Sequence, residues 1–343
     1  MRAHVRTAIV ALLGVVLLAL FLRNANLRDV WAEVTRARMD LVLLAVALTA
    51  LTYILRAVRW QYLLSPIGRV GLANALRMTV IGFAASAVLP ARAGEVLRPW
   101  LLARKEGLSA TAAFATIILE RVLDTVMVLL LFGLFLLLAE PDFARGDPLA
   151  FSRLKIGGGL AALASVVALA IMFFLAGHPA TLNSLQAMFE RVLPARLAAI
   201  GTRFLRTFAN GLAIVRQPGR LAIALLLSVP LWLSIATGIW CVSQAFHIDF
   251  PFMGSFLVMA LLVVGVAVPT PAGVGGFHYF YRLAATGFYA APNDRAVGAA
   301  IVLHAVSFVP VAVVGLVLLA REGISLAGVS TVMRAEDGAG ERA

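Results

Sequence analysis

"VLPARAGEVLRPW", residues 88–100, continues the apolar run "MTVIGFAASAV", residues 78–88. A helix begun in that run needs about 20 apolar residues to cross a bilayer. Within a dozen positions, however, the chain places Pro90, Arg92, Gly94, Glu95, Arg98 and Pro99. Proline removes a backbone donor and glycine permits a tight reversal. The polar backbone freed in this way cannot face hydrocarbon, so such a break must lie against protein or a watery cavity. The stretch therefore predicts a helix interrupted inside the membrane domain, with charge at the interruption.

Composition settles which solvent surrounds it. Of 343 residues 62% are hydrophobic and 13% charged, with a mean hydropathy of +0.96, against roughly half apolar and a quarter charged in soluble domains. The chain reads as an all-α polytopic integral membrane protein. Its formal charge of +12, from 29 basic and 17 acidic residues, is spread over short segments between apolar runs. That pattern is unlike the single basic, aromatic-studded face of a nucleic-acid binder. It fits topology signals and headgroup contacts instead. The lone Cys241 has no partner for a disulfide or metal site and reads as a small buried residue.

Apolar stretches near 5–22, 39–55, 111–139, 156–176, 220–246 and 294–320 predict six transmembrane helices. The first reads as an uncleaved span, because no small-residue cleavage site precedes Arg23 and Asn24. Two further stretches, 72–98 and 252–287, are apolar but interrupted by proline and glycine. They predict re-entrant hairpins, or two kinked spanning helices that would make eight crossings. Arginines at the N-terminus, after the second span (Arg56, Arg59, Arg69, Arg77) and in the segment 178–220 outnumber those in the acidic "AEPDFARGDP" at 139–148. By the positive-inside rule both termini are cytoplasmic. Residues 178–219 predict a cytoplasmic loop holding an amphipathic or connecting helix, and 323–343 a disordered tail.

The opening motif has a second copy. "PARAG" at 90–94 and "PTPAG" at 269–273 share Pro-x-x-Ala-Gly at an offset of 179, and "ATIILERVL" at 115–123 resembles "AAIVLHAVS" at 299–307 at an offset of 184. Repeat halves of about 39–139 and 220–320 follow, in a single domain covering 1–322. Three spans separate the motifs, so the second copy would be inverted. Pro90, Gly94, Pro269, Pro271, Gly273, Gly275 and Gly276 are the expected structural breaks. Inverted repeats with broken helices in matching places point to a transporter site at the midplane.

Charge sharpens that reading. Glu120, Arg121 and Asp124 lie inside a predicted span, where each isolated charge costs about 2.5–3.5 kcal/mol on insertion scales. Glu120 and Asp124 share one helix face, while Arg121 points about 100° away and is expected to meet Glu95. The surplus guanidinium groups of Arg92, Arg98 and Arg121 suit a lipid phosphate. The alternative is a neutralising network that only fixes helix packing.

Three stretches together carry a resemblance: "RAVRWQYLLSPIG" (56–68), "LPARAGEVLRPWLLARKEGLSATAAFATIILERVLD" (89–124) and "PTPAGVGGFHYF" (269–280). The sequence resembles the lysylphosphatidylglycerol synthase transmembrane-domain family, the flippase-like membrane part of the multiple peptide resistance factor, over about 5–322. The resemblance implies transfer of a polar lipid between leaflets, and stand-alone members are part of the family. No stretch is long or polar enough for the soluble aminoacyltransferase domain, so a member that does not synthesise the lipid is expected. The resemblance also marks departures. Ala272 stands at the first of the family's paired glycines, His278 near an acidic position, and His304 where arginine is frequent. Both histidines join Arg92, Glu95, Arg98, Glu120, Arg121 and Asp124 as candidate substrate-binding residues, with proton coupling or a simple interhelical hydrogen bond as their two readings.

The expected function is translocation of a polar, phosphate-containing lipid across the bacterial inner membrane, without metal or cofactor. An intramembrane enzyme using Glu120, Asp124, His278 and His304, or a scaffold for a lipid-modifying enzyme, are the alternatives. Expected partners are a phospholipid or other polar lipid and the membrane itself. A lipid-modifying enzyme and a second copy of the chain are further candidates.

Overall fold

The computed structural model describes residues 25–89, 92–138, 148–177, 179–192, 194–267 and 270–322. The predicted span at 5–22, Pro90, Pro269 and the tail 323–343 lie outside them. Among the described residues every regular element is helical: α1 (Leu27–Arg36), α2 (Met39–Leu64), α3 (Leu72–Val88), α4 (Gly94–Glu106), α5 (Ala110–Leu138), α6 (Pro148–Gly177), α7 (Pro179–Val192), α8 (Ala195–Gly211), α9 (Pro218–Ala245), α10 (Gly254–Ala267), α11 (Gly276–Tyr289) and α12 (Asn293–Arg321). Two 3-10 turns, Ala213–Arg216 and Pro271–Gly273, complete them.

Five helices are long and apolar enough to cross a membrane: α2, α5, α9, α12 and Ile156–Phe174 within α6. They match five of the six predicted spans. The predicted connecting segment 178–219 forms α7 and α8, and α8 packs on α5 where Gly211 meets the backbone of Ala112. Cys241 is buried in the apolar core, as its sequence context suggests.

The two interrupted stretches form helical hairpins that run beyond the predicted bounds, to Glu106 and Tyr289. In the first, α4 folds back along α3. Gly94 abuts Gly82 and Ser86 near the tip, and Asn74 Nδ2 donates to Glu106 Oε1 at 2.7 Å near the base. In the second, Gly276 abuts Gly265 near the tip, and Tyr289 Oη donates to the Gly254 carbonyl at 3.2 Å at the base. Each crossing depends on the absence of side chains. A Cβ on Gly94 would overlap the Gly82 carbonyl oxygen, and one on Gly276 would overlap that of Gly265. Both Pro-x-x-Ala-Gly motifs end near a tip, in different local structure. Gly94 opens α4, whereas Gly273 lies in the turn before α11, which Gly276 opens.

The tips show why the helices stop. Leu89, just before Pro90, is extended at φ −90°, ψ 145°, as a residue preceding proline must be. Arg92 and Ala272 each adopt a left-handed conformation, at φ 53° and φ 51°, which costs an L residue about 1–2 kcal/mol. Ala272 therefore holds a backbone shape that glycine would take freely, at the place where the family pattern has glycine.

α12, about 43 Å long at 1.5 Å per residue, acts as a ruler for both hairpins. Near the base of the first hairpin, Arg77 and Lys105 both reach Glu322 at 2.9 Å, at the C-terminal end of α12. Lys105 and then Arg77 hold the Glu322 carboxyl below its ordinary range. The second hairpin has its base at the other end, where Tyr289 precedes the start of α12 at Asn293. Both tips arrive at the middle of α12: Ala272 O lies 3.0 Å from His304 Nε2, and Phe308 lines the space between the tips. Arg92 Nη2 donates to the Val266 carbonyl and joins tip to tip.

Candidate functional site

The acidic pair sits on α5, with Asp124 at its midpoint and Glu120 one turn before. Because they are four residues apart, they share a face, and α2 supplies Arg56 and Arg59 to it. Arg59 Nη2 donates to Asp124 Oδ1 at 2.7 Å and its Nη1 to Ser228 Oγ on α9 at 2.7 Å. Arg56 Nη1 bonds Asp124 Oδ2 at 3.2 Å, and Trp232 Nε1 on α9 donates to Asp124 Oδ1 at 3.1 Å. From the first hairpin, Arg98 Nη1 donates to Glu120 Oε1 at 3.1 Å, while its Cζ lies 3.8 Å above the Trp60 ring. Arg121 Nη2 donates to the same Glu120 oxygen at 2.7 Å and lies 3.5 Å from Asp124 Oδ2.

Arg59 and Glu120 are 0% exposed, Arg98 2%, and Arg56 and Asp124 6%. The Arg121 side chain is 34% exposed. Four guanidinium groups therefore face two carboxylates, a surplus of two positive charges in a largely buried cluster. Pairing makes a buried ion pair tolerable but seldom net stabilising, so packing alone does not account for two extra cations. Nor are the arginines saturated. The Nε atoms of Arg56, Arg59, Arg98 and Arg121, together with Arg98 Nη2, are buried with no hydrogen-bond partner among the described residues.

The cluster opens on a cavity of about 520 Å³. Its charged end is lined by Arg56, Arg92, Glu95, Arg121 and Asp124, and its body by Ile235, Ile239, Leu262, Val263, Leu303 and Val306. A charged end with an apolar body is the division an amphiphile needs. A second cavity of about 110 Å³ lies between the hairpin tips, with Ser86, Arg92, Glu95, Arg98, Arg121 and Thr270 in its wall.

Arg92, Glu95, Arg98, Glu120, Arg121 and Asp124 are thus brought together around these cavities. Three expectations need correction. Arg121 pairs with Glu120 and Asp124 rather than Glu95, because its long side chain curls back along its own helix. Glu95 instead lies 3.6 Å from Arg92. Arg56 and Arg59 are buried site residues and not loop charges, since α2 continues to Leu64. Their signal was the three-residue spacing just before Trp60, which puts both on one helix face. The histidines stand apart. His278 and His304 are ring neighbours at 4.5 Å, and His278 Nδ1 accepts from Gly275 N at 3.4 Å. His304 bonds the tip carbonyl of Ala272. Neither histidine lines either cavity; both serve the second tip.

The broken hairpins, buried arginines and amphiphilic cavity can be set beside known families. The lysylphosphatidylglycerol synthase TM region family matches residues 6–315. The chain belongs to this family. No curated protein matches it. On the structure, the three family-like stretches fall on the end of α2, on the first hairpin with the start of α5, and on the second tip. These are the segments that build the charged cluster and the meeting of the tips. Membership shows a multi-pass membrane domain related to lipid handling.

Proposed function

We propose that this domain moves a polar lipid with a phosphate-bearing headgroup between the leaflets of the bacterial inner membrane. The two hairpins are read as re-entrant halves of an inverted repeat, with both termini cytoplasmic. The observation that carries the reading is the surplus of two guanidinium charges gathered around the midpoint of α5, beside a cavity with an apolar body. Charges at that depth are costly and mark ligand paths, and an anionic headgroup would neutralise the surplus through charge-assisted hydrogen bonds.

The element order supports the repeat. A long helix, a hairpin and a long helix, of 26, 17, 13 and 29 residues, recur as 28, 14, 14 and 29. The first hairpin packs on α12 of the second half, and α10 of the second hairpin packs on α5 of the first. With bases at opposite ends of α12 and tips at its middle, each hairpin can expose the central cavity toward one leaflet while the other closes it. Alternating access of this kind needs only small rocking of one half against the other.

Lipid copurified in mild detergent tests the headgroup assignment. Mass spectrometry of the wild-type protein should find anionic phospholipid enriched over the bulk membrane extract. In Arg121→Gln, which removes one lining charge, that enrichment should fall severalfold. Bound lipid that mirrors the bulk composition in both proteins would rule out recognition of a phosphate-bearing anionic headgroup.

A further inference from the structure

We infer that the small cavity between the hairpin tips is a second oxyanion station, separate from the large cavity and sized for a single phosphate group. Its volume of about 110 Å³ is room for on the order of three to four waters, comparable to one hydrated tetrahedral oxyanion and too small for a lipid's acyl chains.

Arg98, 2% exposed, reaches its wall. One nitrogen of Arg98 is committed to Glu120 and one face of its guanidinium plane to the Trp60 ring. Its Nε and Nη2 are without partners among the described residues. Arg92 and Arg121 line the same cavity, so three guanidinium groups surround it, and each is a planar donor suited to phosphate oxygens. The second contribution comes from the backbone. α4 begins at Gly94, and Gly94 and Glu95 line the cavity. The positive end of that helix therefore faces it, with the N–H groups of Gly94 and Glu95 ahead of those of Val96 and Leu97, which bond the Ala93 carbonyl. Ser86 adds a hydroxyl from α3. Glu95 opposes an anion there, but Arg92 lies 3.6 Å from it and offsets its charge.

Phe83, Arg92, Glu95, Arg121, Val266 and Phe308 line both cavities and form the partition between them. A phosphate could therefore pass from Arg56 and Arg121 on one side to Arg98 and Arg121 on the other without losing contact with Arg121. Two sources supply the same chemistry: the headgroup of a lipid whose tails stay outside the small cavity, or free inorganic phosphate. The inference rests on the transport reading only for the first source.

Binding is measured without transport, by titrating inorganic phosphate at constant ionic strength onto the detergent-purified full chain and following its unfolding temperature. A ligand that binds only the folded form raises that temperature saturably. Wild type should show such a rise. Arg98→Lys, which keeps the charge and loses the planar fork, should weaken phosphate about tenfold, and Arg56→Lys, on the large cavity only, should weaken it less. If Arg98→Lys does not fold, Ser86→Ala should weaken phosphate severalfold. Competition by dihexanoyl phosphatidylglycerol would assign the station to a lipid headgroup, and phosphate binding unaffected by that lipid would assign it to the free ion. No saturable rise in wild type, or phosphate lost in Arg56→Lys but kept in Arg98→Lys, would overturn the inference. A wild type that binds phosphate yet moves no lipid would instead overturn the transport reading and leave this one standing.

Discussion

Glu120→Gln should destabilise the protein by about 3–5 kcal/mol, the cost of stranding charge when one member of a buried ionic network is removed. Glu120 is fully buried and its Oε1 lies within 3.7 Å of a nitrogen of Arg56, Arg59, Arg98 and Arg121. Glutamine keeps the shape but leaves four guanidinium groups against one carboxylate. Denaturant unfolding in micelles measures the loss, with Val126→Ala on the same helix as reference, for which about 1 kcal/mol is the ordinary cost. Equal stability of the two variants would mean that Glu120 is not held as a buried member of an ionic network.

The second large effect is steric. Gly94→Ala places a methyl group on the Gly82 carbonyl oxygen, and Gly276→Ala places one on that of Gly265. Backbone cannot swing aside as a side chain can, so each hairpin must splay, at about 1–3 kcal/mol or more. Because the splay is at the tip, the contact between Arg92 and Val266 and both cavity walls go with it. Gly133→Ala is the control. Nothing lies within 4 Å of a Cβ there, and alanine in a helix gains up to about 1 kcal/mol over glycine. The two tip variants should yield little folded protein by size-exclusion chromatography, and the control should match wild type. Normal yields for Gly94→Ala and Gly276→Ala would contradict the close helix crossings.

How much of this the sequence disclosed depended on whether the signal was local. The long helices were legible because hydropathy over 20 residues is a local property, and the breaks because proline and glycine act on their own backbone. The shared face of Glu120 and Asp124 followed from helical spacing alone. Arg56 and Arg59 were misread because the last apolar residues near 55 look like a span's end. Helix α2 in fact runs on as a charged, buried segment, made tolerable by partners 65 and 68 residues away. Gly82 and Gly265 carried no local signal at all: each sits in an unbroken apolar run, and only the returning helix explains it. The curl of Arg121 onto its own helix is a side-chain choice that spacing does not fix. His278 and His304 entered the candidate site through the family resemblance, whereas the structure assigns them to the second hairpin tip.

The central claim is that the buried arginines receive a headgroup on its way across the membrane. Its most direct test is lipid translocation in vesicles reconstituted from the native lipid extract, with fluorescent phosphatidylglycerol as reporter and a membrane-impermeant quencher to read each leaflet. The wild-type protein should speed the exchange well above protein-free vesicles. Arg92→Lys and Arg98→Lys should slow it while folding and melting stay near wild type, because lysine keeps the charge and loses the planar fork. Arg98→Ala should be slower still. Exchange no faster than in empty vesicles, with wild-type protein shown to be folded in the same membranes, would contradict the account.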